Sequence, residues 1–445
     1  MKKLKIMVVA SIVAAVCSAG ENDAVEGAYS VSDVTISQNA ITRLVTVSYT
    51  LGEKPAIVTV DFLTNGVSIG ERTFNNVFGA VNRLVTLTGA VNTICWQPRK
   101  SWPGNSGAEL SAKVSLWRPD APPDYLVVSL DGAVSVPPRA YYVSTNALPG
   151  GLESDIYRTS RLVMRRIPAA GVTWQMGATE ADYLQAGWSK EKYDGISDSD
   201  KLREVPHNVT LTYDYYLGIY PVTQEQYRRL TGASALGGYF TTYADSALRP
   251  RCGINYDDLR GSGTDTEHSS AASDSAIGKI RAFTGIDFDL PTDAEWEYAC
   301  KAGSTWLLYT GDTYTLDNVK KLAWISSNSS GETRPVGRKI PNAWGLYDMI
   351  GNTLEWCRDY WVKDLGSAEV VDPVNDVRSD NRVMRGSRYN YVWSPYAHTT
   401  YRTSDIPNRS HDQAKAYGFR LMCPITLKFS VQETDDSEAE GEVVE

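Results

Sequence analysis

The stretch 342–361, Asn-Ala-Trp-Gly-Leu-Tyr-Asp-Met-Ile-Gly-Asn-Thr-Leu-Glu-Trp-Cys-Arg-Asp-Tyr-Trp, constrains the fold of this chain more than any other. It carries Trp344, Tyr347, Trp356, Tyr360 and Trp361 together with Gly345 and Gly351. Its apolar residues follow neither the 3.6-residue period of a helix nor the two-residue period of a strand. A segment this aromatic and this aperiodic reads as a compact loop packed on its own rings, of the kind that often closes around a bound cation. The fold around it is expected to be rich in irregular connections.

The ends of the chain set its compartment. Lys2, Lys3 and Lys5 precede an apolar run from Ile6 to Val16, which is too short to span a bilayer, and Cys17-Ser18-Ala19-Gly20 supplies small residues for cleavage. Residues 1–19 are therefore expected to be a signal peptide. No second long apolar run follows, so the expectation is an exported protein, periplasmic or secreted, with no transmembrane segment. Residues 426–445 form an acidic tail expected to be disordered, since Glu433 to Glu445 hold seven acidic groups and no basic one. A net charge of -9 argues against a nucleic-acid partner held by general electrostatics. Past the leader, Cys95, Cys252, Cys300, Cys357 and Cys423 contain no Cys-x-x-Cys pair, which speaks against a zinc or dithiol centre and for buried small hydrophobes. An odd count leaves at least one thiol free.

Residues 28–140 read as all-β. Leu44 to Tyr49 and Ala56 to Phe62 alternate with period two, Asn65-Gly66 supplies a two-residue hairpin turn, and further strands are expected at Leu84–Leu87, Thr93–Gln97, Leu110–Trp117 and Tyr125–Leu130. Regular turn signals suggest a small immunoglobulin- or fibronectin-like sandwich. A linker is expected over 141–160, opening after Pro137-Pro138, and a second domain over 161–425, where elements are short and connections long. Its helices announce themselves by capping boxes: Thr223-x-x-Gln226, ending at Gly232, and Thr292-x-x-Glu295, closing near Gly303. A third runs from Ser275 to Thr284. The Ser/Thr/Gly/Asp-rich stretch Leu259 to Ser275 reads as a mobile loop.

Several landmarks then recur in one order: Trp174-Gln175-Met176-Gly177, Glu204-x-Pro206-x-x-Val209, Leu290-Pro291-Thr292-x-Ala294-Glu295-Trp296-Glu297, Asn342-Ala343-Trp344-Gly345-Leu346-Tyr347-Asp348, Gly351-Asn352-x-x-Glu355-Trp356, Arg385-Gly386 and Gly418-Phe419-Arg420. In number, order and spacing they resemble the formylglycine-generating (sulfatase-modifying factor) enzymes across roughly Ile167 to Pro424. The resemblance implies an α+β fold, a variant of the C-type lectin fold, preceded here by the small all-β sandwich. It also implies a structural calcium held by the Asp348 side chain, the Gly351 and Thr353 carbonyls and the Glu355 carboxylate, a set of hard oxygens suited to that ion. A second calcium loop of the family is replaced by Leu322 to Asn328.

The family's oxidation of a substrate cysteine to formylglycine rests on two cysteines that hold copper(I) just after the Arg-Gly motif. Here that place reads Arg385 to His398, with Tyr391 and Tyr396 at the ungapped cysteine positions and no cysteine between Cys357 and Cys423. A phenol is a hard donor and does not replace a thiolate on copper(I). The His-x-x-x-His-x-Glu run of the iron-dependent sister group is absent as well. No catalytic residue is assigned. Arg385 and Arg420 are expected as structural ion-pair partners, and Arg388, Tyr391, Trp393, Tyr396, His398 and Tyr401 as a ligand surface for a peptide or glycan. The expected function is a binding module that has lost the copper chemistry. The alternative is an oxidoreductase of the formylglycine-generating or non-haem iron kind, working in sulfatase maturation through an unrecognised site.

Overall fold

The structure is a computed structural model that describes residues 29–69, 76–101, 110–131, 139–234, 236, 239–267, 270–392 and 395–425. The expected leader, the acidic tail, Pro137-Pro138 and Trp393 lie outside these residues.

The first part is a two-sheet arrangement. In Val45–Leu51 every second side chain is buried, so its two-residue pattern turns one face to the core. The strand pairs on one side with Val31–Gln38 and on the other with Val91–Trp96, which also takes Val77–Gly79. The second sheet centres on Ala56–Thr64, flanked by Arg83–Val85 and Leu110–Trp117. Asn65 and Gly66 both have positive φ, 52° and 78°, as a type I′ turn requires, and join Ala56–Thr64 to Val67–Ser68. Phe62 and Trp96 stack from opposite sheets with ring centroids 4.4 Å apart.

The second part does not begin where the sequence placed it. Tyr125–Ser129 and Arg139–Tyr142 pair with one another and then with Arg161–Ile167, in a five-stranded sheet completed by Tyr215–Gly218 and Met422–Pro424. The expected boundary at 140 thus falls inside a sheet of the second part. The sandwich strands end at Trp117, and 141–160 is no free linker, since Ala147, Leu148 and Tyr157 are buried in the core. The physical cause is burial on both faces. Leu126 and Val128 point into one core cluster and Val127 into the other, as do Leu162 and Val163. An uninterrupted apolar run such as Leu126-Val127-Val128 marks a doubly covered strand, not a sandwich strand with one wet face.

The other sheets are small. Val172–Met176, His207–Leu211 and Val370–Val371 form one, and Arg402–Asp405, Arg382–Arg385, Leu354–Tyr360 and Tyr417–Gly418 form another. The two expected capping boxes are present, each with reciprocal bonds between the N-cap threonine and the residue three positions on. Helix Gln224–Thr231 stops at Gly232 in the left-handed conformation, and Asp293–Lys301 is capped by Ala302, also left-handed, beside Gly303. Within the expected loop 259–275, the buried Arg260 donates to the carbonyls of Asp265 and Glu267 and pairs with Asp289, which ties these described residues down. Among the described residues no helix is long and apolar enough to cross a membrane.

Trp96→Ala removes the inter-sheet stack and is expected to cost about 3–5 kcal/mol. Urea denaturation checks this, with Trp96→Phe retaining most of the stability.

Candidate functional site

Strand Leu354–Tyr360 follows directly from the signature loop, and all seven of its residues are buried although three are charged. Each charge is met by a partner. The Glu355 carboxylate accepts from Trp296 Nε1 at 2.7 Å, from Arg420 Nε at 3.1 Å and from Arg420 Nη2 at 3.0 Å. Arg420 also donates to the carbonyls of Gly218 at 2.6 Å and Tyr347 at 2.8 Å. The Asp359 carboxylate accepts from the backbone N–H groups of Asp293 and Asn375, and burial, followed by the Asp293 charge, pushes its pKa up to about 7. Arg358 is buried as well; burial lowers its pKa, but the charges of Glu295, Asp289 and Asp359 outweigh this and raise it.

The four residues expected to hold calcium can be tested against this geometry. Asp348 is fully buried. Its carboxylate accepts from Gly337 N at 2.7 Å and faces the Asn352 amide at 3.3 Å. Gly351 has φ 82°, and a Cβ there would lie 2.6 Å from the Trp324 carbonyl, so only glycine fits; its own carbonyl accepts from Thr353 N. Glu355 has both oxygens occupied by a guanidinium and an indole. A guanidinium bound edge-on to the main carboxylate puts a positive charge where a divalent cation would need an open pair of oxygens. Of the four residues, Glu355 is the one whose carboxylate is already met by a cation, and this leaves it poorly placed to ligate calcium. That cation is Arg420, which also donates to the Tyr347 carbonyl of the loop.

A second buried network aims at a cavity. Asp293, at the start of helix Asp293–Lys301, takes Arg385 on one oxygen and Arg402 on the other; burial raises its carboxyl, but the two guanidiniums overcome this and hold it low. Arg385 pairs on its far side with Glu297, and Arg402 donates to the Arg203 carbonyl at 2.9 Å. That bond fixes the segment carrying Glu204. Gly177, at φ 81°, lets the same segment approach, because a Cβ there would lie 2.5 Å from the Glu204 carbonyl.

The cavity encloses about 410 Å³ and is lined by Tyr183, Tyr193, Arg203, Glu204, Tyr396, His398 and Tyr401 among others. Of the expected ligand residues, the fold brings Tyr396, His398 and Tyr401 to this wall. Arg388 and Tyr391 stand beside it: the guanidinium lies 3.9 Å from the Tyr391 ring centre, and Tyr391 packs against Tyr396 at 5.4 Å. Glu204 is buried. One carboxylate oxygen accepts from the Tyr183 hydroxyl at 3.0 Å and from Thr400 at 2.6 Å, whereas the other has only His398 Nε2, at 3.7 Å, as a basic neighbour. Sequence reasoning missed Tyr183, Tyr193 and Glu204 as site residues. The signal for Tyr183 was a short capped helix, Thr179-x-x-Asp182, and Glu204 was visible only as a landmark beside Pro206.

The five described cysteines are all free. Burial pushes Cys252 up to about 11 and Cys423 up to about 12, and raises Cys300 and Cys357 strongly. Among the described residues no cluster of three or more histidine, cysteine or acidic side chains is arranged to hold a metal.

Two substitutions probe the Glu355 pair. Arg420→Leu leaves a buried carboxylate uncompensated and is expected to cost about 3–5 kcal/mol, part of which Glu355→Gln in the same chain restores. Added calcium at about 1 mM, enough to fill a weak extracellular site, is expected to leave the melting midpoint of the wild-type protein where it is. A pH effect follows from Asp348, whose pKa burial raises to about 6 from 3.8. The folded state then binds the extra proton between these values, so this group lowers stability as pH rises from about 4 to about 6. Asp348→Asn is expected to flatten that slope in denaturation midpoints taken across the window.

Comparison with known proteins adds the following. Residues 169–425 match the sulfatase-modifying factor enzyme 1-like domain family. A stretch of 143 residues, 29% of this chain, is 29% identical to the formylglycine-generating enzyme of Bos taurus and spans 37% of it. Another alignment, covering 47% of this chain, is 30% identical to serine/threonine-protein kinase Pkn1 of Chlamydia trachomatis and spans 33% of that protein. The chain therefore spans little more than a third of these curated relatives. Among solved structures, Treponema denticola variable protein 1 is similar at 25% identity with a TM-score of 0.44, over 59% of this chain and 95% of its own.

Proposed function

The chain belongs to the sulfatase-modifying factor enzyme 1-like family across residues 169–425, and from that premise we propose that it is an exported binding module which has given up copper-dependent cysteine oxidation. Two features support the loss. The positions where ungapped matching puts the copper thiolates hold Tyr391 and Tyr396, whose hard phenols suit copper(I) poorly. Four of the five described cysteines are buried with raised pKa values, so they stay protonated and offer no soft thiolate at neutral pH.

The observation that carries the binding reading is the Glu204 carboxylate, which no described lysine or arginine pairs, set among tyrosine rings. Tyr183, Tyr193, Tyr396 and Tyr401 ring a space of about 410 Å³, which lies within the ~300–1,000 Å³ range of small-ligand sites. The walls carry three carboxylates, Asp198, Asp200 and Glu204, against Lys201 and Arg203. Arg203 is paired with Asp200, and Lys201 lies over the Tyr193 ring at 4.8 Å. Glu204 is left at the cavity with an oxygen that no described lysine or arginine pairs and that has only the His398 ring nearby. Aromatic faces around an anionic group favour a cationic side chain, by ring quadrupole and by charge together. Of the two ligand classes expected, a peptide presenting lysine or arginine suits this cavity better than a neutral glycan.

A basic peptide library displayed against the full chain tests the reading. Glu204→Gln and Tyr396→Ala are each expected to weaken the best peptide by at least about tenfold, or about 1.4 kcal/mol, by calorimetry. Incubation of the protein with a Cys-x-Pro-x-Arg peptide, copper and a reductant is expected to yield no aldehyde by mass spectrometry. Aldehyde formed in proportion to copper would instead support an oxidoreductase acting in sulfatase maturation.

A further inference from the structure

A second cleft, of about 520 Å³, opens between the signature loop and residues that precede the family match. Trp344 and Tyr347 form one wall, and Tyr125 and Arg165, on paired strands, form another; Thr145, Asn146 and Glu153 complete it. We propose that this cleft is a binding site for a neutral saccharide, independent of the tyrosine cavity.

The walls are rigid before any ligand arrives. The Asn342 amide donates to the carbonyls of Ala299 at 2.7 Å and Cys300 at 3.1 Å, and its oxygen accepts from Trp344 N and Leu346 N, each at 3.1 Å. The Trp344 ring is braced against Tyr298 at 5.1 Å, and Tyr347 against Tyr220 at 5.3 Å. Tyr347 is held by its backbone as well, with its N–H on the Ile219 carbonyl and its carbonyl on Arg420. A preorganised aromatic wall loses little entropy on binding.

Its polar chemistry is uncommitted and close to neutral. Among the described residues nothing bonds to the side chains of Thr145 and Asn146, or to the hydroxyls of Tyr125 and Tyr347. The Arg165 charge is already met by Asp124 at 2.7 Å, and Glu153 lies 4.0 Å from Arg158. Flat aromatic faces beside free hydroxyl and amide groups, without net charge, match a sugar ring, which offers C–H faces to the rings and hydroxyls to the polar groups. The one loosely paired charge is Glu153, exposed and 4.0 Å from an Arg158 that sits nearer Asp155, and an apolar ligand would leave the Asn146 amide without a partner.

The test titrates the full chain with cellobiose, lactose, maltose and N,N′-diacetylchitobiose, followed by tryptophan fluorescence and calorimetry. At least one is expected to bind with a Kd near or below about 1 mM, with no dependence on salt, as befits an uncharged ligand. Trp344→Ala is expected to weaken that sugar at least tenfold, Trp344→Phe to restore part of the loss, and Asn146→Ala to weaken it severalfold, while Tyr396→Ala binds it as wild type does. Failure of all four sugars to bind wild-type protein at about 10 mM would overturn the proposal. So would unchanged binding in Trp344→Ala, or binding lost in Tyr396→Ala.

Discussion

One guanidinium organises the second half of this protein. Arg420 reaches the end of strand Tyr215–Gly218, the Tyr347 carbonyl in the signature loop and the Glu355 carboxylate in Leu354–Tyr360, while Trp296 brings helix Asp293–Lys301 to the same carboxylate. Burying an arginine and a glutamate costs several kcal/mol each, and only a full set of bonds offsets that cost. The set is full here. That matters most in a domain with little regular structure, where loop carbonyls have no ladder to join and must be met one at a time. Exposed pairs such as Lys190–Asp194 contribute far less.

The same helix serves a second purpose. Its first residue, Asp293, joins Arg385 and Arg402, and Arg402 in turn holds the carbonyl of Arg203, next to Glu204. Core and cavity are therefore one electrostatic structure. Two bonds link the charges under the helix to the cavity wall.

Where a rule is local, the sequence was readable. Alternation gave Val45–Leu51 and Ala56–Thr64, Asn65-Gly66 gave the hairpin, and threonine boxes gave two helices almost to the residue. The expected ion-pair roles of Arg385 and Arg420 are what the fold contains. Reading failed where partners are distant. Leu354–Tyr360 is a strand with Glu, Arg and Asp in its buried interior, and no period betrays it, because groups that make those charges tolerable, such as Trp296, Asn375 and Arg420, come from distant segments. The calcium reading met the same obstacle: the motif shows two carboxylates, but not the arginine 65 residues on that claims one of them. The tyrosine cavity was half legible, since Tyr396, His398 and Tyr401 lie close together in sequence whereas Glu204 is 196 residues from its partner Thr400.

The five-stranded sheet has a consequence for how such proteins are divided. Three of its strands, Tyr125–Ser129, Arg139–Tyr142 and Arg161–Ile167, precede the residue at which the family match begins. A chain trimmed to the family's borders would keep only Tyr215–Gly218 and Met422–Pro424, and would present the first of them as a bare, doubly apolar edge, ready to recruit a neighbour's strand. The unit that folds is wider than the unit that is recognised, and the surplus is what keeps it from sticking to itself.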